Sequence, residues 1–294
     1  MIITKIARQK KRKQRYSLYI DNEFKLGIDE AVLIHFALYK GQELDEDLLA
    51  DIEDREYRQG IYLQGLNYLS YGQRSIKEMR DYLKKYLIKD YKQQLAEAEE
   101  AGQTETVQLN AEEAIDEELI QATLDRLIEQ RLLNDTLYGQ SYVRTAALLN
   151  RKGPQVLKRE LTRKGLSPSD IESALQEYPE EQQHENIMAV SEKYIRSKRQ
   201  YPPKRVRQKL SEHLRTKGYP NDLIKETLEQ LDFEEEVVDQ DDLLNREAEK
   251  LVRTRGKRFK GYDLQNKIKE GLYRKGFDLE AIKYWIEDNK HTWE

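Results

Sequence analysis

Cysteine is absent from the 294 residues, which excludes disulfides and thiolate metal sites and is compatible with a reducing compartment. No apolar run approaches the roughly 18 residues that span a bilayer. The stretch behind the basic N-terminus also lacks the apolar core of a signal peptide. The chain reads as soluble and cytoplasmic, without a membrane partner. Catalytic signatures are missing too: there is no glycine-rich phosphate loop followed by Lys-Ser or Lys-Thr, no G-x-S-x-G elbow and no H-E-x-x-H pair. The four histidines, His35, His184, His213 and His291, are scattered and suggest neither a metal cluster nor a nucleophile relay. A non-enzyme is expected, with no catalytic residue, no metal and no cofactor.

Charge is abundant, at 36% of residues against 38% hydrophobic. That balance suits thin helical layers, which expose much surface for each residue they bury. The formal net charge of −4 conceals segregation. Residues 1–20 hold seven lysines and arginines and no acid, while acids from Glu97 to Glu118 crowd a later segment.

A short step occurs three times: Leu161-Thr162-Arg163-Lys164-Gly165, Leu214-Arg215-Thr216-Lys217-Gly218 and Leu272-Tyr273-Arg274-Lys275-Gly276. The glycines lie 53 and 58 residues apart, the size of a three-helix unit. Apolar residues precede each glycine by four and eight positions (Leu161 and Leu157, Leu214 and Leu210, Leu272 and Ile268). They follow it by one, six and ten (Leu166, Ile171, Leu175; Tyr219, Ile224, Leu228; Phe277, Ile282, Ile286). Each glycine is expected to stop one helix before the next begins.

Alternation in 2–7 and 16–20, with Asp21-Asn22-Glu23 as a turn before Phe24–Gly27, predicts a hairpin or three-strand ribbon. Its basic link, Lys10–Arg15, reads as a solvated loop or a contact for an acidic partner. Asp29 is placed as the N-cap of a helix Glu30–Tyr39 ended by Gly41, and Asp45 starts another toward Leu69. Ser75 and Glu78 have capping-box spacing. The stretch 90–116 reads as an acidic insertion, an exposed helical hairpin or partly disordered. Asn134 or Asp135 caps the next helix, and Gly153-Pro154 breaks it. The remaining pattern has the 3.6-residue period. The expected fold is all-α tandem three-helix repeats, an elongated array, behind a small N-terminal β ribbon. Its parts are 1–57, then repeats 58–135, 136–182, 183–236 and 237–294.

Basic charge clusters in the first two helices of the later repeats. Residues 193–217 hold ten cations against the single acid Glu212, and 246–275 hold eleven against four acids. Acids gather instead at third helices, as at Glu226–Glu236. A merely solvated face would mix the signs more evenly. Interleaved Tyr194, Tyr201, Phe259, Tyr262 and Tyr273 either pack between helices or stack on bases while the cations hold phosphates. No base-reading motif is present.

Several of these features together resemble the RecX family of recombinase regulators: the tandem three-helix units, Arg74-Ser75-x-x-Glu78, Leu132-Leu133-Asn134-Asp135-x-x-Tyr138, Lys152-Gly153-Pro154 and Leu161-x-x-Lys164-Gly165. The likeness covers most of 58–294. It implies a monomeric protein that binds the RecA recombinase filament and single- and double-stranded DNA, and restrains RecA's ATPase, strand-exchange and co-protease activities. A fourth unit, the ribbon and the acidic insertion are additions to the compact three-unit form. Candidate DNA- or filament-binding residues are Arg144, Arg151, Lys152, Arg159, Arg163, Lys164, Arg196, Lys198, Arg199, Lys204, Arg205, Arg207, Arg253, Arg255, Lys257, Arg258 and Lys260. The lysine before each step glycine is expected to belong to the same surface. Two other classes remain open: a sequence-nonspecific DNA-binding repeat protein acting independently of RecA, and a scaffold that binds only proteins.

Overall fold

A computed structural model describes residues 1–10, 12, 14–100, 115–198, 201–233 and 240–292. Strands β1 (Ile3–Arg8), β2 (Arg15–Ile20) and β3 (Glu23–Asp29) form an antiparallel sheet in the order β1-β2-β3. Asp21 and Asn22 both adopt positive φ, 48° and 72°, as the two-residue hairpin between β2 and β3 requires. The sheet buries Ile3, Leu18 and Ile28 against Val32, Leu49 and Ile52. Lys11 and Lys13 of the basic link between β1 and β2 lie outside the described residues.

Thirteen α-helices follow among the described residues. Helix α1 (Glu30–His35) starts at Asp29, whose carboxylate accepts from the Ala31 amide at 3.0 Å. It ends at His35, four residues short of the expected Tyr39. Ala37 takes a positive φ of 46°, and the chain turns back to pair with β1, where Gly41 N donates to Ile3 O at 2.7 Å. That pairing satisfies a strand edge, which helix propensity alone does not foresee. Helix α2 (Glu46–Ser70) is capped by Asp45, 2.7 Å from the Leu48 amide.

Helices α3 (Ile76–Glu100) and α4 (Glu117–Glu129) pack with the far half of α2 around Ile61, Met79, Leu83, Ile120, Leu124 and Leu127. The Ser75–Glu78 capping box is reciprocal: Ser75 N donates to Glu78 Oε2 at 3.0 Å and Glu78 N to Ser75 Oγ at 3.1 Å. The first part of the expected acidic insertion, 90–100, continues α3 as helix. Its centre, 101–114, lies outside the described residues.

Three helical triplets follow. These are α5 (Asp135–Asn150), α6 (Pro154–Arg163) and α7 (Pro168–Leu175); α8 (Glu180–Ser197), α9 (Pro203–Lys217) and α10 (Asn221–Gln230); and α11 (Gln240–Arg255), α12 (Gly261–Lys275) and α13 (Leu279–Asn289). Asn134 caps the first, accepting from the Leu137 amide at 2.9 Å. The chain forms two compact units. One comprises Met1–Tyr138 with the step residues Lys164–Leu166, and the other Gly139–Arg163 with Ser167–Glu294.

The offsets around each step glycine translate directly into burial. Leu157, Leu161, Leu210, Leu214, Ile268 and Leu272 are fully buried, and the positions one and six residues after each glycine are buried as well. The tenth positions, Leu175, Leu228 and Ile286, are half-buried in all three. Gly165, Gly218 and Gly276 have φ of 85°, 90° and 94°, the left-handed helix stop.

Each of these glycines also abuts the first turn of the preceding repeat's second helix. A Cβ at Gly165 would lie 2.6 Å from Lys77 Cβ, at Gly218 2.5 Å from Val156 N, and at Gly276 3.0 Å from Arg205 Cβ. The step is therefore a joint between repeats as well as a stop.

Candidate nucleic-acid interface

The motif residues converge on those joints. In the first unit Ser75 Oγ donates to the Lys164 carbonyl at 2.7 Å, and Lys164 Nζ meets Glu78 Oε1 at 2.6 Å. The Tyr138 phenol joins the cluster, accepting from Lys164 and donating to Glu78. Asp135 accepts from the Ile76 amide at 2.8 Å. Burial would push the Glu78 carboxyl up, but Lys164, the Ser75 amide and Tyr138 together hold it below the ordinary carboxylate value. The Lys164 ammonium loses solvation as well, yet Glu78 and Tyr138 more than offset this and push its pKa up. Arg74 lies 4.6 Å over the Tyr68 ring, itself stacked on Tyr82 at 4.1 Å.

The second unit repeats the plan with backbone groups. Gly153 N donates to Lys217 O at 2.8 Å and Gln155 N to Gly218 O at 3.0 Å, so amides at the start of α6 donate to the carbonyls that end α9. Tyr219 donates its hydroxyl to the Arg151 carbonyl at 2.9 Å. At the next joint Pro202 stands where Gly153 stands in the previous repeat. Lacking an N–H, it cannot make the same bond.

The step lysines are therefore engaged inside the chain: Lys164 by Glu78, Lys217 by the Asn150 carbonyl at 3.1 Å, and Lys275 by Glu247. These partners would have to be exchanged for any outer ligand that the three lysines take. Glu78 and Glu247 come from other helices, so no local spacing discloses them.

The other candidate cations fall into three sets. Lys152 is held by both Glu160 oxygens, at 2.6 and 2.8 Å; Arg144 reaches Glu177 at 3.3 Å and Arg196 reaches Glu192 at 3.7 Å. Arg151 is half-buried at the joint, whereas Arg159 and Arg163 are exposed on α6.

A second set surrounds the start of α9 and lies on aromatic rings. Lys198 is 6.0 Å from the Tyr194 centroid, Lys204 5.8 Å from Tyr273, Arg205 5.3 Å from Tyr201 and Arg207 5.9 Å from Phe233. Tyr194 also stacks on His213 at 4.9 Å, where burial and the nearby Lys217 hold the imidazole below its ordinary value.

The third set is Arg253, Arg255, Lys257, Arg258 and Lys260, at the end of α11 and in the link to α12. All five are exposed, and none makes an ion pair among the described residues. Arg199 lies outside the described residues.

One residue of the α9 face was missing from the candidates. Lys209 lies four residues beyond Arg205, so helical spacing places both on one side. It lines a cleft with Tyr194, Lys198, Tyr201, Arg205 and Val206. What these side chains can do chemically is hold phosphate oxygens and offer ring faces.

Models of the regulatory protein RecX match the chain: the N-terminal domain at 1–45, the second three-helix domain at 134–175 and the third three-helix domain twice, at 180–228 and 239–286. The regulatory protein RecX of Bacillus cereus (strain 03BB102) is 36% identical over 290 residues, 97% of both chains. That of Bacillus cytotoxicus is 35% identical over the same span and shares. A crystal structure of regulatory protein RecX superposes with a TM-score of 0.60 at 32% identity, covering 78% of this chain and 99% of that one. With relatives this similar over nearly its whole length, the chain belongs to the RecX family of regulatory proteins.

Proposed function

We propose that this protein binds the RecA recombinase filament on DNA and modulates, mainly inhibits, its ATPase, strand-exchange and co-protease activities. Family membership supplies the partner, since RecX proteins are regulators of RecA. The observation that carries the contact with DNA is the run Arg253, Arg255, Lys257, Arg258 and Lys260, exposed cations that make no ion pair among the described residues. Releasing counterions from phosphates is the favourable step open to such a run, and it carries no sequence information.

In this reading the segment 1–57 and the repeats 58–135, 136–182, 183–236 and 237–294 act as successive contact units in a cytoplasmic monomer. Several modest contacts along one filament add through effective concentration. Inhibition is mechanical: holding adjacent protomers fixes an interface that must move during ATP turnover. The test is RecA ATPase on single-stranded DNA and LexA-type cleavage with stoichiometric protein. Both are expected to fall, and unchanged rates sink the proposal.

The same exposed cations favour a second reading, nonspecific DNA binding independent of RecA. Cosedimentation across a salt series separates the two. Retention by naked single-stranded DNA that RecA does not increase supports the second reading.

A further inference from the structure

The cleft between the end of α8 and the first turns of α9 has a volume of about 180 Å³. Among the described residues its walls are two phenol rings, Tyr194 and Tyr201, one aliphatic side chain, Val206, and three cations, Lys198, Arg205 and Lys209, with no acid. An apolar guest has no need of three cations, and a phosphate alone has no need of two rings. The combination suits a planar aromatic group that carries phosphate on either side.

The rings are not equally free. Tyr194 is fixed by its stack on His213 and by packing against the core of Ile187, Leu210 and Leu214. Tyr201 is 37% exposed and is backed by Arg205. Lys209 pairs with Glu212 at 2.7 Å, but both are about half exposed, and such pairs yield readily to a phosphate. In a duplex the bases are stacked and paired away from such a cleft; in a single strand they can enter it.

We infer that this cleft receives one unstacked nucleobase of a single-stranded nucleic acid, with Lys198 and Arg205 holding the flanking phosphates. The inference rests on the DNA contact proposed above. It adds to it a base-dependent, sequence-tolerant contribution that exposed cations alone do not provide.

The test uses the full chain and two labelled oligonucleotides of equal length and phosphate count, one of thymidine nucleotides and one of abasic tetrahydrofuran units, with binding read by fluorescence anisotropy. The thymidine oligomer is expected to bind about 5- to 160-fold more tightly, the range of one stacked base. Tyr201→Ala should remove that ratio while leaving affinity for the abasic oligomer unchanged, and Tyr201→Phe should keep it. Lys198→Glu should weaken both oligomers. Circular dichroism checks that each variant is folded. In a Tyr201→Trp variant, quenching of the new indole by the thymidine oligomer but not by the abasic one reports the same contact without relying on affinity.

Equal affinity of the wild-type chain for both oligomers overturns the inference and leaves the phosphate contact standing. So does thymidine monophosphate binding as tightly as the oligomer, or a fall of both affinities by one factor in Tyr201→Ala. Binding of neither oligomer overturns the inference and the DNA contact together.

Discussion

The carboxylate of Glu78 and the ammonium of Lys164, 86 residues apart in sequence, meet at 2.6 Å with both side chains mostly covered. Glu78 has its pKa lowered in the fold and Lys164 has its pKa raised. The lowered carboxyl contributes stability that is present above its unfolded value of about 4.3 and is lost as pH falls through the folded one. The raised ammonium contributes below about 10.4, and its share is lost as pH rises through the folded value. The pair is thus strongest between about pH 5 and 10. Lys164→Met should cost about 1–2 kcal/mol at pH 7, and Glu78→Gln should flatten the loss of stability on acidification. Urea denaturation across a pH series checks both.

Ser75 has two jobs at that joint, receiving the Glu78 amide and donating to the Lys164 carbonyl. Ser75→Ala removes both and should cost about 1–2 kcal/mol. Combined with Glu78→Gln in a double-mutant cycle it should be non-additive, because the two share partners.

Gly153 tests the close approach between repeats. A Cβ there would come within 2.5 Å of the Tyr219 amide nitrogen and closer still to the Gly218 carbonyl, all of it backbone that cannot rotate away. Gly41, with φ of 94° and open space around its Cβ direction, isolates the conformational cost alone. Gly41→Ala should cost about 1 kcal/mol. Gly153→Ala should cost about 2–3 kcal/mol or more by forcing the joint apart. Thermal denaturation of the two variants gives the comparison.

Reversing Arg253, Arg255, Lys257, Arg258 and Lys260 to glutamate should weaken binding to single-stranded DNA. The slope of log K against log salt should fall in magnitude by roughly 0.7 for each phosphate that the chain no longer neutralises. Lys152→Glu should act instead through stability, since Lys152 sits on Glu160 and its reversal places two carboxylates together. Salt-series anisotropy and denaturation on the same variants separate the two effects.

Local rules carried the element plan far. The capping box at Ser75, the N-caps at Asp29, Asp45 and Asn134, and the helix stops at Gly165, Gly218 and Gly276 all follow from residue type and spacing, because each satisfies its own backbone within a few residues. The end of α1 did not follow, since the turn at Ala37 answers to β1, a partner distant in sequence. The candidate site was legible only as charge. Which lysines are already paired depends on Glu78, Glu160 and Glu247, and Glu78 and Glu247 reach their lysine across 86 and 28 residues.

The Leu-x-x-Lys-Gly step thus divides at the physical range of its interactions. Its leucines and glycine were determined by sequence, because burial period and a left-handed stop are properties of one helix and its end. That the glycine also admits the neighbouring helix, and that Lys164, Lys217 and Lys275 find partners within the chain, was decided by the tertiary structure alone. Contacts between segments 28 to 86 residues apart are set by how repeats pack, and no helical period encodes them.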